Sequence, residues 1–232
     1  MNIGKRFLKS LKSDRAYIEF ERLDNEKVLE EIIPQIKDMK IVGECKYHVV
    51  NCFEHSIYAL QEFEDIIKKD EFFQVHLEEA IRDYLNTEIE DEVIRLNILK
   101  LGIFLHDMGK PQCKSIDKTG RVHFHDHEKV GANDSIKISK ELNLSKESSE
   151  LLYKYIKYHM ILLEFYKNND MSQEKLYRVF DVLGDEIIGI LLLGYADIVS
   201  TRRLLDPKED MSIIKVYMEY MLTNYLYMYK KS

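Results

Sequence analysis

Glycine and proline are scarce, with 9 and 3 in 232 residues. Together they form about 5% of the chain, against an ordinary share near 12%. Many short strands joined by tight turns need more turn-formers than this, so a sandwich or barrel is excluded and an all-α chain is expected. Cysteine is scarce as well. Cys45, Cys52 and Cys113 are too few and odd in number for a disulfide scaffold, and they form no Cys-x-x-Cys pair. The longest apolar stretches, 94–105 and 187–199, are shorter than the ~20 residues of a membrane span and are broken by polar residues. The first residues carry charge but no apolar core of a leader, so no secretory signal is expected. Basic residues are outnumbered, 34 Lys+Arg to 41 Asp+Glu, for a net charge of −7. That argues against a general affinity for nucleic-acid backbone or an anionic membrane, while a local basic patch remains open. The setting these absences imply is reduced and cytoplasmic.

What is there is a large apolar fraction, 45%, enough for one sizeable core. We expect a helical arm over 1–22 and one helical domain over 23–232. In the arm, Lys5, Arg6, Lys9, Lys12 and Arg15 surround Ile3, Phe7, Leu8 and Leu11. This is either a basic amphipathic arm for RNA or membrane, or a solvated first helix packed by its apolar edge; charge runs favour the second. Apolar residues then recur at helical period. Val28, Leu29, Ile32, Ile33 and Ile36 form a stripe that Pro34 should kink or break. Helices are expected over 52–69, 72–86, 92–107, 127–142, from Ser145 as N-cap to His159, and over 173–183, 186–203 and 209–229. The helix at 92–107 is apolar almost all round, the mark of a central buried element, and Gly109 and Pro111 should stop it. Residues 110–126 form one long connection, with a turn at 117–120. The tyrosines Tyr217, Tyr220, Tyr225, Tyr227 and Tyr229 can pack a homodimer or the core, the core being favoured.

The informative polar residues are histidines beside acids. Asp197 lies in a very apolar helix, where an unpaired carboxylate costs several kcal/mol. It needs a metal, a proton, a place on the helix's single wet face, or a salt bridge to Arg202 or Arg203, and Gly194 one turn earlier leaves room for a ligand or another backbone. His106 and Asp107 leave the end of the buried helix and supply ligand types for a borderline metal. Lys110, just beyond, puts an ammonium where a phosphate can use it, unless it only complements a helix C-terminus.

The order His55, His106-Asp107, Asp197, with Leu105-His-Asp-Met-Gly-Lys-Pro111, resembles the HD-domain superfamily of metal-dependent phosphohydrolases. Phe53-Glu-His-Ser-Ile-Tyr-Ala-Leu60, Gly120-Arg-Val-His-Phe-His-Asp-His-Glu-Lys-Val-Gly-Ala132 and Tyr158-His159 are similar to the HD domain of bacterial tRNA nucleotidyltransferases and poly(A)-polymerase-like proteins. So is Leu29-Glu-Glu-Ile-Ile-Pro-Gln35, and the likeness covers about 25–203. Nothing resembles the nucleotidyltransferase head, so the transferase activity is not carried over. The resemblance implies an HD-type helical bundle with His55, His106, Asp107 and Asp197 as core ligands of a divalent ion. His127 and His159 would hold a second ion, with Asp107 bridging; their alternatives are substrate contact or a helix-end role. His123 and His125 are near alternatives to His127. The ion would be Fe, Mn, Ni, Co or Zn, with Mg also open.

Such a site implies hydrolysis of a phosphoester with water activated at the metal. Lys110, with Lys114 or Arg202, would offset phosphate charge, and Asp126 and His125 are candidates for the leaving-group acid. By analogy the substrate is a nucleotide or RNA end, most concretely a 2′,3′-cyclic phosphoester. The same ligand order also suits a two-iron oxygenase, and a third reading is a metal-containing nucleotide-sensing module without turnover. His48 and His76 have no motif around them and are expected to be structural.

Overall fold

In a computed structural model the protein is described over residues 3–42 and 49–230; His48 and Cys45 lie outside these. Helix α1 (Ile3–Leu11) and α2 (Ala16–Asn25) open the chain. Lys5, Lys9, Lys12 and Arg15 are exposed, while Phe7 and Leu11 are buried. Phe7 stacks on Phe20 at 5.1 Å, and Phe20 meets Phe104 at 4.5 Å. The apolar edge of α1 thus joins the main core. Pro34 breaks its stripe as expected: α3 (Val28–Ile32) ends, Ile33 leaves the helical region at φ −129°, ψ 83°, and α4 (Ile36–Met39) restarts.

Helix α5 (Cys52–Ile66) starts at Asn51, whose side chain accepts the Glu54 N–H at 2.9 Å. Helix α6 (Val75–Asn86) begins later than the sequence pattern suggests. Phe72 and Phe73 are buried but sit before it, edge to face at 4.8 Å. Glu219 accepts the Gln74 N–H at 3.0 Å, tying the helix start to the far end of the chain. Strands β1 (Glu88–Glu90) and β2 (Val93–Ile94) pair antiparallel and delay α7 (Arg95–Leu105) by three residues relative to the expected 92–107. Every residue of α7 from Asn97 to Leu105 is buried, as its all-round apolar character requires.

The expected long connection is structured. It holds a short helix α8 (Lys110–Cys113) and a hairpin of β3 (Lys114–Ile116) and β4 (Val122–Phe124), joined by the turn at 117–120. Gly120 takes φ 81° there, a conformation that favours glycine. Helices α9 (His127–Glu141) and α10 (Lys146–Tyr158) follow, the second capped by Ser145 as expected. After α11 (Ile161–Asn168) and α12 (Gln173–Leu183) comes α13 (Glu186–Leu205), buried from Ile187 to Ser200. The last helix, α14 (Ser212–Thr223), is shorter than the expected 209–229 and passes into a π-helical turn, Asn224–Tyr229. There Tyr225 and Tyr229 pack on Phe180 at 5.3 and 5.4 Å.

Helix α7 packs against α5, α10 and α13. The architecture is all-α, with two small strand ladders at its surface. Among the described residues no helix is long and apolar enough to cross a membrane.

Candidate metal centre

Six polar side chains meet at the end of α7. His55 comes from the second turn of α5, and His106 and Asp107 from the turn that ends α7. His127 opens α9, His159 closes α10, and Asp197 lies within α13. Their exposures run from 0% for His55 and His106 to 9% for Asp197. So much polar surface tolerates burial only because each group faces another.

Two glycines let the elements approach this closely. A Cβ on Gly109 would lie 2.2 Å from the His127 carbonyl oxygen, so only glycine lets the α7–α8 turn meet the start of α9. A Cβ on Gly194 would lie 3.1 Å from the His159 carbonyl oxygen. Gly194 therefore makes room for another backbone rather than for a ligand. Asp197 does not use the arginines next to it in sequence, since Arg202 pairs with Glu209 and Arg203 with Glu62, each at 2.6 Å.

The donor atoms form two adjoining groups. His55 Nε2 lies 3.3 Å from His106 Nε2 and 2.9 Å from Asp197 Oδ1. Asp107 Oδ2 is 3.6 Å from His55 Nε2 and 3.3 Å from His106 Nε2, and His106 Nε2 is 3.5 Å from Asp197 Oδ1. The other oxygen, Oδ1, is 3.4 Å from His127 Nε2, which is 3.3 Å from His159 Nε2. Bonds of about 2.1 Å to a divalent ion put neighbouring ligand atoms about 3.0–3.4 Å apart. The donors match that spacing without rearrangement, and the trios His55–His106–Asp107, His106–His159–Asp197 and Asp107–His127–His159 could each hold a metal.

Local structure presets the rings. Nδ1 of His106, His127 and His159 donates to the carbonyl three residues earlier, those of Ile103, Phe124 and Ile156, at 2.7, 2.8 and 2.7 Å. A ring that donates from Nδ1 can turn the Nε2 lone pair inward, the tautomer a metal needs.

Electrostatics sharpen the picture. Burial disfavours charge on His106, but Asp107 and Asp197 outweigh it and push its pKa up to about 10. Burial likewise works against charge on both carboxylates. His106 and Lys110 hold Asp107 well below the usual range, and His106 and His55 do the same for Asp197. Burial, then the charges of His106 and His127, push His159 down to about 3. The cluster is a nest of carboxylate charge that attracts cations, including protons.

Lys110 is 6% exposed, and its Nζ sits 2.6 Å from Asp107 Oδ2. Burial disfavours its charge, yet Asp107 keeps its pKa above the ordinary value. A protonated amine cannot ligate, so Lys110 stands beside the donor set rather than in it.

The cluster opens into a cleft of about 580 Å³, whose lining includes Lys110, His125, His127, Tyr166, Asp197 and Arg202. Arg202 lies over the Tyr166 ring at 5.1 Å. Lys114 is exposed on β3 and does not line the cleft. Of the candidate acids, His125 is on the cleft wall, while Asp126 is exposed and paired with Lys129. His76 is exposed on α6, belongs to none of the donor groups, and shares a 2.9 Å contact with Thr223. Sequence reasoning missed Tyr166 and Lys167 on the cleft wall; the only signal was their place two helical turns beyond His159.

Residues 53–183, more than half of the chain, match the family model of the HD domain. Over 157 residues the chain is also 26% identical to the A-adding tRNA nucleotidyltransferase of Deinococcus radiodurans, covering 67% of this chain and 30% of that protein's length. Asp197 lies past the family match, and its place beside His55 and His106 comes from the fold.

Proposed function

The chain belongs to the HD-domain family, and from that premise we propose that it is a metal-dependent phosphohydrolase acting on a nucleotide or RNA-terminal phosphoester. The observation that carries this reading is Asp107, whose two oxygens face separate histidine groups while Lys110 sits against one of them. His55, His106, Asp107 and Asp197 would hold one divalent ion, and His127, His159 and Asp107 a second. Such ions act as Lewis acids toward phosphoryl oxygen and lower the pKa of water. Fe, Mn, Ni, Co and Zn suit imidazole–carboxylate donors, and Mg is the remaining candidate.

The chain's own residues supply the rest. Lys110, fixed by Asp107, would offset charge gathering on the phosphoryl oxygens. Arg202, held by Glu209 and Tyr166, offers a second cation on the cleft wall. His125 is the better placed of the two candidates for protonating the leaving oxygen. The nucleotide class rests on the likeness to a tRNA nucleotidyltransferase, and a 2′,3′-cyclic phosphoester is the most concrete substrate.

Metal analysis of protein purified without chelators, then a phosphoester panel with Mn, Ni, Co, Mg or Fe, tests this. Two ions per chain are expected, falling to one in His159→Ala, with hydrolysis of at least one nucleotide phosphoester. Lys110→Met should retain metal but lose 10- to 1,000-fold in rate, about 1.4–4 kcal/mol of transition-state stabilisation. Full metal content in a His106→Ala, Asp107→Ala double variant would sink the ligand assignment. Oxygen uptake without phosphoester hydrolysis would move the protein to the two-iron oxygenase class.

A further inference from the structure

The β3–β4 hairpin runs against the charge of the rest of the chain. The protein carries −7 overall, yet Lys114, Lys118 and Arg121 are all exposed on this hairpin. None of the three enters an ion pair among the described residues. The acid between them, Asp117, is engaged within the hairpin. Its carboxylate accepts hydrogen bonds from the Thr119 hydroxyl at 2.6 Å and backbone N–H at 2.8 Å. It also takes the His123 ring at 2.8 Å and the Arg121 N–H at 3.1 Å. These bonds hold Asp117 below the usual carboxylate range, so it stays ionised as an internal clamp, and the hairpin carries three cations, Lys114, Lys118 and Arg121, against this one anion.

The returning strand leads into the candidate metal centre. Val122, His123, Phe124 and His125 all line the cleft. Alternate residues on a strand share a face, and the rings of His123 and His125 are stacked nearly parallel, 5.2 Å apart at 10°. The register sets Lys114 opposite Phe124 and Ser115 opposite His123, so Lys114 lies on the other face, while Arg121 follows the alternation of His123 and His125 and Lys118 sits at the tip. Lys167, exposed and also lining the cleft, adds a further cation.

Spacing decides what anion fits. At about 3.3 Å per strand residue, Arg121 and His125 are about 13 Å apart, more than one phosphate can bridge. A run of phosphates can. Cations along a track, with rings on which unpaired bases stack, is how single-stranded nucleic acid is held without sequence readout. A duplex hides its bases and would leave the stacked imidazoles unused.

We infer that the β3–β4 hairpin is a docking arm for the sugar–phosphate backbone of a single-stranded polynucleotide, leading its end toward the His–Asp cluster. The chemistry at that end rests on the phosphohydrolase reading; the binding does not.

Fluorescence anisotropy with a labelled oligouridylate of about ten nucleotides, in EDTA, reads the docking alone. For single strands each phosphate contact contributes about 0.7 to the slope of log affinity against log salt. Lys118→Ala/Arg121→Ala should flatten that slope by about 1.4 and weaken binding at low salt at least tenfold. Its melting temperature should stay that of the parent. Lys118→Arg/Arg121→Lys, which keeps the charges, should bind like the parent. An unchanged slope in the alanine variant would overturn the inference. So would inorganic polyphosphate of equal charge binding as tightly as the oligonucleotide, since the aromatic face would then contribute nothing. If no phosphoester is hydrolysed but hairpin-dependent binding persists, the phosphohydrolase reading fails and the docking arm stands.

Discussion

At His106 two opposing effects meet. Burial disfavours a charged ring, while Asp107 and Asp197, 3.3 and 3.5 Å away, favour it. The carboxylates win, and the pKa rises to about 10. In metal-free protein a proton therefore occupies the Nε2 that a divalent ion needs, and binding must release it. Apparent metal affinity should rise with pH, about tenfold per unit from this proton alone. Calorimetry in buffers of different ionisation enthalpy should register about one proton leaving with the first ion. No proton release would contradict the assignment of His106 as a ligand. The sign for stability follows from the same shift. A folded-state pKa raised above the unfolded value of 6.5 stabilises fully below about pH 6.5, and that contribution is lost as pH climbs through about 10. Chelated protein should thus lose melting temperature across this window, and metal-loaded protein should not. His159 behaves oppositely: held down at about 3, it is neutral at ordinary pH and keeps its lone pair for a metal.

Helix ends do much of the positioning. Ile103 and Ile156 lie in the last turns of α7 and α10, where carbonyls run out of helical donors. The His106 and His159 rings donate to them, so the end of each helix satisfies its backbone and aims a ligand at once. Another junction is secured by charge. Lys100, inside apolar α7, pairs with Glu64 of α5 at 2.7 Å, both nearly fully buried. Lys100 also donates to the Ser13 carbonyl at 2.6 Å, and Glu64 accepts the Ala16 N–H at 2.9 Å. This pair pins the α1–α2 turn to the helices that present His55 and His106. Glu64→Leu should cost about 3–5 kcal/mol, because it strands a buried ammonium. Glu64→Leu/Lys100→Met should cost less than the two single changes added together. Urea denaturation of the four proteins measures the difference, and strict additivity would show that the two charges are not coupled.

For the molecule as a whole, metal and fold should be linked. The six candidate ligands come from α5, α9, α10, α13 and the turn after α7, so ions held between these elements bind only the folded chain. At free metal about 100-fold above Kd such binding contributes about 2.7 kcal/mol, which for a chain of this size corresponds to about 5–10 °C in Tm. Scanning fluorimetry with EDTA, then with metal restored, should show that fall and recovery. An equal fall in the His106→Ala, Asp107→Ala variant would place the stabilising ion elsewhere.

Much of this architecture is legible in the chain alone. Few turn-formers and helical periodicity dictate an all-α fold, Pro34 breaks its stripe, Ser145 caps α10, and the all-apolar run ending in His106-Asp107 becomes the central helix. Each of these depends on residues within a few positions of one another. The rest depends on partners far apart in sequence. The start of α6 answers to Glu219, and the delayed start of α7 to the β1–β2 ladder. The hairpin within 110–126 forms where a loop was expected, because its strands pair. Lys100 looks misplaced in an apolar helix until Glu64 meets it. The same holds at the site: histidines and acids of the right types were visible, but not that Asp107 turns one oxygen to His106 and the other to His127. His55 and Asp197, 142 positions apart, come to 2.9 Å only when α5 packs on α13. Periodicity reads which face of a helix is buried; what that face meets is decided by packing.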